Sequence, residues 1–511
     1  MSDGERKPIP APAPGAARGD PKPVELDVLD TGAAGGRAIR GGAFRTIAYA
    51  AVMLMSVASV PFMIRHLGVV DYGHFITVSA IIFIIGSVTE AGLTNLGVRE
   101  YSVLEREARA GMLGNLAGLR LALTVAGLAI ALGVTAATGA ERVVVEGILL
   151  MGTGLLILLM QQTYTIPLQS ELRFGWISLL EVLKQLVMTA AILALVIAGA
   201  ELLPFFAVTI LSGLVGLVAT LALLRRQGSL LPAGELRAWR RLLRETLPFA
   251  VAVAVGIIYF RLAVVLMSYI ATDEETGYYS VAFRIVEVVA VLPWIVVSTG
   301  FPILARAARD DTDRLRYALQ RLFHVSAIVG VGIALGLAVG AEFAIDVIAG
   351  PGFDPSVPVL RVLSLALVTS FLVATWSFAL LSLRIYRALL VSNAIAAGVA
   401  VVGTLALVPL IDAEGAAAAT VGAEATLAIA CAAGLSRARP DLRPVLDFVP
   451  RLALALSAAM VPVLLLPLPS VALAALAGAT YLVALLAVRG IPPEVFSALR
   501  GREPEPDPDV S

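Results

Sequence analysis

Fourteen apolar stretches, each near the ~20 residues a helix needs to cross the hydrocarbon core of a bilayer, leave this chain few ways to fold. They fall at about 44–64, 74–96, 113–136, 144–166, 177–198, 203–224, 247–270, 278–305, 320–348, 359–381, 388–410, 415–435, 449–467 and 470–488. The runs are continuous and lack the period-two alternation of a transmembrane strand. Helices, which satisfy their backbone hydrogen bonds internally, are therefore expected rather than a barrel. A hydrophobic fraction of 59%, charged residues at 15% and a mean hydropathy of +0.90 exclude an ordinary soluble domain. The sequence predicts an all-α polytopic membrane protein with about 14 transmembrane helices. Its single cysteine, Cys431, lies in an apolar span and rules out a disulfide within the chain.

The positive charges assign each connection to a side. With connections alternating between two sides, 31 of the 38 Lys and Arg residues fall on the side of the N terminus, and only Arg65 and Arg142 on the other. Arg120, Lys184, Arg261, Arg284 and Arg361 lie inside apolar spans. Under the positive-inside rule this bias predicts a multi-pass plasma-membrane protein with both termini in the cytoplasm. Residues 1–43 are rich in Pro, Ala, Gly and charge and lack the apolar core of a signal peptide. They are expected to be a disordered cytoplasmic tail, as is the acidic, Pro-punctuated segment 489–511. The basic loops are short and face a membrane surface, so no nucleic-acid partner is expected.

Two long-range similarities suggest an internal duplication. The run HLGVVDYGHF, from His66 to Phe75, resembles YIATDEETGYY, from Tyr269 to Tyr279, when Gly73 is superposed on Gly277. Likewise Ala194–Leu217 resembles Ala406–Ile429: a span, a short Gly/Glu turn and a small-residue span. Six helices per repeat keep both copies in one orientation. The expected organisation is a six-helix lobe at 44–224, a basic cytoplasmic linker at 225–246, a second six-helix lobe at 247–435 and two further transmembrane helices at 436–488. Parallel repeats of this kind build transporters, with the substrate path between the lobes.

Several short motifs carry a family resemblance. They are Arg65–Gly73 (RHLGVVDYG), Glu90–Glu100 (EAGLTNLGVRE), Thr276–Glu287 (TGYYSVAFRIVE), Phe301–Arg306 (FPILAR), Gly350–Leu363 (GPGFDPSVPVLRVL) and Asp412–Thr420 (DAEGAAAAT). In this order over residues 44 to 435, they make the chain resemble the polysaccharide or O-antigen flippases of the multidrug/oligosaccharidyl-lipid/polysaccharide exporter superfamily. The resemblance implies a flippase, not an enzyme, that carries a polyprenyl-diphosphate-linked oligosaccharide between leaflets. Membrane lipids and polysaccharide polymerase machinery are its implied partners. It also implies a basic central cavity, lined largely by the first two helices of each lobe.

Charges inside apolar spans are the candidate site. An Arg, Lys or Asp at a helix centre costs about 2.5–3.5 kcal/mol, so each needs a partner or water. At 1.5 Å per residue, Arg261 lies roughly 13 Å from one end of its span, level with Glu287 on the next, and Arg284 shares a face with Glu287. A structural ion pair and a guanidinium facing a phosphate are both open readings of this group, and they can coexist. Arg suits the second because its planar fork binds phosphate oxygens bidentately. Glu90 and Arg120 come out at one depth near the cytoplasm, where a structural pair is favoured. Arg65 ends the first span, where it snorkels to headgroups or gates the cavity mouth. Glu424 stands alone near the midplane as a coupling-ion candidate, for Na+ or H+. Its other reading is a Glu bonded to a neighbouring helix. No cofactor is expected, and the histidines His66, His74 and His324 show no metal-ligand spacing. Gly330, Gly332, Gly336, Gly114 and Gly118 are read as small residues for close helix packing.

Two other functions compete. A cation-coupled multidrug exporter of the same superfamily should favour acids in its cavity, whereas this second lobe offers Arg261 and Arg284. A membrane-embedded polysaccharide polymerase or ligase usually carries a sizeable outer loop, and the outer connections here are very short.

Overall fold

A computed structural model describes residues 33–90, 92–224, 231–310 and 312–490. In chain order its helices are α1 (Ala33–Glu90), α2 (Leu93–Val103), α3 (Arg106–Ala137), α4 (Arg142–Tyr164), α5 (Ile166–Ser170), α6 (Phe174–Ile197), α7 (Leu202–Leu223) and α8 (Leu236–Ile270). They continue as α9 (Asp273–Val289), α10 (Val291–Asp310), α11 (Thr312–Val339), α12 (Ala341–Ile348), α13 (Ser356–Ser382), α14 (Tyr386–Ala438), α15 (Val449–Leu465) and α16 (Ser470–Ala487). Among the described residues there is no strand, as expected. The expected tails fall largely outside these residues, although α1 begins at Ala33, ahead of the expected boundary at 44.

Ten helical runs among the described residues are long and apolar enough to cross a membrane, and α15 and part of α8 are shorter apolar helices. Two of the ten contain a break and fold back. Straight, the 58 residues of α1 would extend about 87 Å, far beyond a bilayer. The chain breaks at Gly68, whose φ of 75° and ψ of −172° belong to a region open essentially to glycine. Ser56 and Ser87 consequently line one cavity from the two arms. In α14 the break falls at Ile411 and Asp412. A Cβ built on Gly403 would lie 3.1 Å from that of Ala419, and one on Gly434 would lie 2.9 Å from that of Ala388, so these arms are antiparallel too. The expected loops at these two places shrink to one or two residues.

The side chains facing outward are apolar, including Leu54, Ile130, Val218, Val402 and Leu482, as a surface bathed in lipid requires. Inside, the buried apolar residues are distributed unequally along the molecule. Call the end holding the connections near 104 and 235 the basic end. Toward the far end a single cluster runs through both halves: Tyr72, Phe75 and Val78 of α1 and Phe206 of α7 join Val264 and Met267 of α8 and Tyr279 and Phe283 of α9. Toward the basic end there are separate clusters. Leu93, Leu96 and Leu116 pack with Leu242, whereas Leu319, Phe323, Trp376 and Leu427 pack among themselves. The halves meet at the far end and part toward the basic end.

At the meeting point the two residues superposed in the sequence repeat touch. A Cβ on Gly73 would sit 3.1 Å from the Gly277 nitrogen, and one on Gly277 would sit 2.3 Å from the Val69 carbonyl oxygen. Only glycine allows α1 and α9 to cross this closely. Gly277→Ala should therefore push the helices apart at a cost of about 1–3 kcal/mol. Paired cysteines at Val70 and Glu274 on either side of the crossing, compared with and without the alanine, read this as reduced crosslinking.

The other glycines divide. Gly330 lies against Phe371 and Gly332 against Tyr481, as close helix packing requires. Gly114 and Gly118 do something else. They admit the chain between α7 and α8: the Ala233 nitrogen donates to the Gly114 carbonyl at 2.8 Å, and a Cβ on Gly118 would meet the Ala233 oxygen at 2.0 Å. Asn115 accepts from the Glu235 nitrogen at 3.0 Å. The connection is thus sewn to α3, and from Leu236 it is already the first turns of α8. At the end of the chain, α15 and α16 pack together, and the Tyr481 hydroxyl ties α16 to the Ile328 carbonyl of α11 at 2.8 Å.

Candidate functional site

Between the halves lies a cavity of about 610 Å³, walled by both arms of α1 and by α4, α6, α8 and α9. Its chemistry is asymmetric. The first half contributes neutral polar groups, among them Ser56, Ser59, Ser79, Gln162 and Gln185, together with Glu90. The second half contributes Arg261 and Arg284.

Arg261, Arg284 and Glu287 form one group. The Glu287 carboxylate accepts from Arg261 Nη2 on one oxygen and from Arg284 Nη1 at 2.7 Å on the other. Arg261 reaches it from α8, whereas Arg284 reaches it from one turn back on α9. Their exposures differ in a way that separates their roles. The Arg261 side chain is 9% exposed, with its guanidinium carbon 4.5 Å from the Phe83 ring and 5.7 Å from that of Phe283. The Arg284 side chain is 28% exposed and holds the carboxylate through Nη1. Two cations share one anion, leaving a net positive charge on this wall. Arg284 is the member with nitrogens to spare for an anion in the cavity.

Sequence reasoning missed two side chains here. Phe83, on the second arm of α1, lines the cavity and covers Arg261 from the opposite half by a cation–π contact. Tyr72 also lines the cavity, and its buried hydroxyl has no hydrogen-bond partner among the described residues. The only signal for Tyr72 was its place in the repeated run before Gly73.

The remaining candidates lie elsewhere. Arg120 is fully buried and does not reach the cavity: it bonds Glu90, Thr94 Oγ1 at 2.6 Å and Thr163 Oγ1 at 2.8 Å. Glu90 lines the cavity, so the pair joins its wall to α3 and α4. Arg65 is at the far end, outside the cavity. Its Nη2 donates to the carbonyls of Asp346 at 3.0 Å and Val347 at 2.6 Å, in the last turn of α12. These carbonyls have no helical partner, and a cation there is favoured by the helix dipole. Arg65 therefore fastens the first half to the second beside the Gly73–Gly277 crossing. Glu424 is not alone: buried in the second half, it accepts from the Tyr259 hydroxyl and from Ser370 Oγ at 3.2 Å.

Comparison with known proteins places this architecture. A family model described as "Polysaccharide biosynthesis protein" matches residues 38–308, just over half the chain. Comparison with curated proteins gives no match. Among solved structures, the lipid II flippase MurJ in an inward closed conformation superposes with a TM-score of 0.70 at 13% identity, over 87% of this chain and 98% of that one. An inward-facing multidrug resistance MATE family transporter of the MOP superfamily gives 0.57 at 15% identity, over 78% and 95%. The eukaryotic MATE transporter AtDTX14 gives 0.53 at 12% identity, over 80% and 99%. At such identities the likeness is one of fold.

Proposed function

The chain belongs to the polysaccharide biosynthesis protein family, and on that premise we propose that it is a flippase for a lipid-diphosphate-linked oligosaccharide. The observation that carries the reading is the cavity's division, with guanidinium groups on one wall and, on the other, hydroxyls and amides beside Glu90, whose carboxylate is engaged by Arg120. A diphosphate suits the first through charge-assisted, bidentate bonds to Arg284. A glycan, dense in hydroxyls, suits the second. An organic cation would meet repulsion there.

The basic end is read as cytoplasmic, with both termini on that side of the plasma membrane. The halves 44–224 and 247–435 are read as rocking units in alternating access. This arrangement, closed at the far end, receives cargo from the cytoplasmic leaflet. Opening the far end requires parting Gly73 from Gly277 and releasing Arg65 from α12, while the lipid tails stay in the bilayer. Glu424, bonded between α8, α13 and α14, is read as the coupling-ion site, for Na+ or H+. Glu424→Gln should then remove the dependence of transport on one imposed ion gradient; transport that keeps both dependences contradicts this role.

Lipid extraction from a strain lacking the protein tests the reading. Complete repeat units on the lipid carrier should accumulate on the cytoplasmic leaflet while surface polymer is lost. Normal polymer with no trapped intermediate, together with new sensitivity to cationic dyes, would favour an exporter instead.

A further inference from the structure

At the far end, outside the cavity, three side chains with metal-ligand chemistry converge from distant parts of the sequence. His74 lies at the start of the second arm of α1, Glu141 immediately precedes α4, and Asp273 opens α9. His74 Nε2 is 3.6 Å from Glu141 Oε2 and 3.4 Å from Asp273 Oδ1, and the three ligand atoms lie within 4.8 Å of one another. Both separations exceed the ~2.7–3.2 Å of ordinary N–H···O hydrogen bonds. They instead match the ~3.4 Å between two ligands that each stand about 2.1 Å from one tetrahedral zinc ion. The His74 side chain is 11% exposed, whereas the Glu141 and Asp273 side chains, 61% and 44% exposed, reach solvent.

The charges point the same way. Arg142, next to Glu141, turns to Glu146 at 2.6 Å and leaves Glu141 un-neutralised. Glu274, next to Asp273, adds a further negative charge on the exposed side. The cluster brings two carboxylates to one imidazole, a setting that favours a bound dication. We propose that His74, Glu141 and Asp273 bind a divalent transition metal of the zinc type, with water completing the coordination. Two ligands come from the first half and one from the second, beside the Gly73–Gly277 crossing. The site is therefore complete only while the far end is closed.

Two consequences follow. His74 Nδ1 has no hydrogen-bond partner among the described residues. Tight sites orient the ring through such a partner, whose loss typically weakens binding about 10–100-fold. The affinity should therefore be moderate, in the micromolar class. Second, a metal bound only to the closed form holds it closed: at about 100 times its Kd it shifts the opening equilibrium roughly 100-fold. External zinc should then slow the flippase. This second consequence rests on the proposed function; the binding does not.

The test uses the full chain without a polyhistidine tag, purified in detergent, stripped with chelator and titrated with Co2+ and Zn2+. One equivalent should bind, with the intense visible absorption of tetrahedral Co2+ displaced by Zn2+. His74→Ala and Asp273→Asn should each weaken binding at least 10-fold while eluting as folded protein. Glu141→Gln, isosteric and half exposed, guards against misfolding of the others and should also weaken it. His66→Ala should leave binding unchanged. Absence of stoichiometric binding, or binding indifferent to the three substitutions, overturns the site. If metal binds at these residues yet transport is unaffected by external Zn2+, the site stands and the clamp is overturned. If no transport of any cargo is found, the binding result is untouched and the proposed function is what fails.

Discussion

Arg284→Ala should abolish surface polysaccharide while leaving the protein at normal abundance. Arg284 holds Glu287 through Nη1 at 2.7 Å, and its side chain, 28% exposed, lines the cavity. Hydrogen bonds to charged groups contribute about 1.5–3 kcal/mol each, so losing a bidentate contact should weaken cargo binding on the order of 100-fold or more. Folding should hardly notice, because Glu287 keeps its bond to Arg261. Transport and abundance of the variant, measured in the same cells, separate the two effects. Full transport would remove Arg284 from the substrate site.

Glu287→Gln should do the reverse and strike the fold first. It removes the anion shared by two guanidiniums, one of them on a side chain only 9% exposed. Removing one partner of a buried ion pair costs about 3–5 kcal/mol, because the partner left behind is charged and desolvated. The amide preserves size and shape, so the loss is electrostatic. A fluorescent fusion read by size-exclusion chromatography should show a large drop in monodisperse protein. Adding Arg261→Met should restore much of it, since an apolar side chain of similar volume needs no counter-charge. Wild-type yield for Glu287→Gln alone would mean that Arg261 has other compensation.

How far the sequence was legible follows from which interactions are local. Span number and helical character could be read directly, because each crossing must satisfy its own backbone in a run of fixed length. The family could be read from six short motifs, and the family model that matches residues 38–308 bears this out. Pairing of Arg261 with Glu287 was legible as a depth argument, since helical rise converts sequence offset to height. Contacts that depend on lateral placement were not. Nothing in the spacing of Arg65 forecasts the last turn of α12, and nothing around Phe83 forecasts Arg261 beneath its ring. The convergence of His74 with Glu141 and Asp273 escaped a search for ligand spacing, because those residues come from three separate helix ends. Gly114 and Gly118 were read as helix-packing residues, whereas what they admit is an extended backbone. Composition says that something comes close, but not what.

The most direct measurement is transport by the purified chain in liposomes that carry a labelled polyprenyl-diphosphate oligosaccharide in one leaflet. Protein-dependent appearance of the glycan in the other leaflet, lost in Arg284→Ala and absent for a cationic dye, is what a guanidinium-walled flippase should give. A chain that leaves the glycan where it was placed and moves the dye would contradict it.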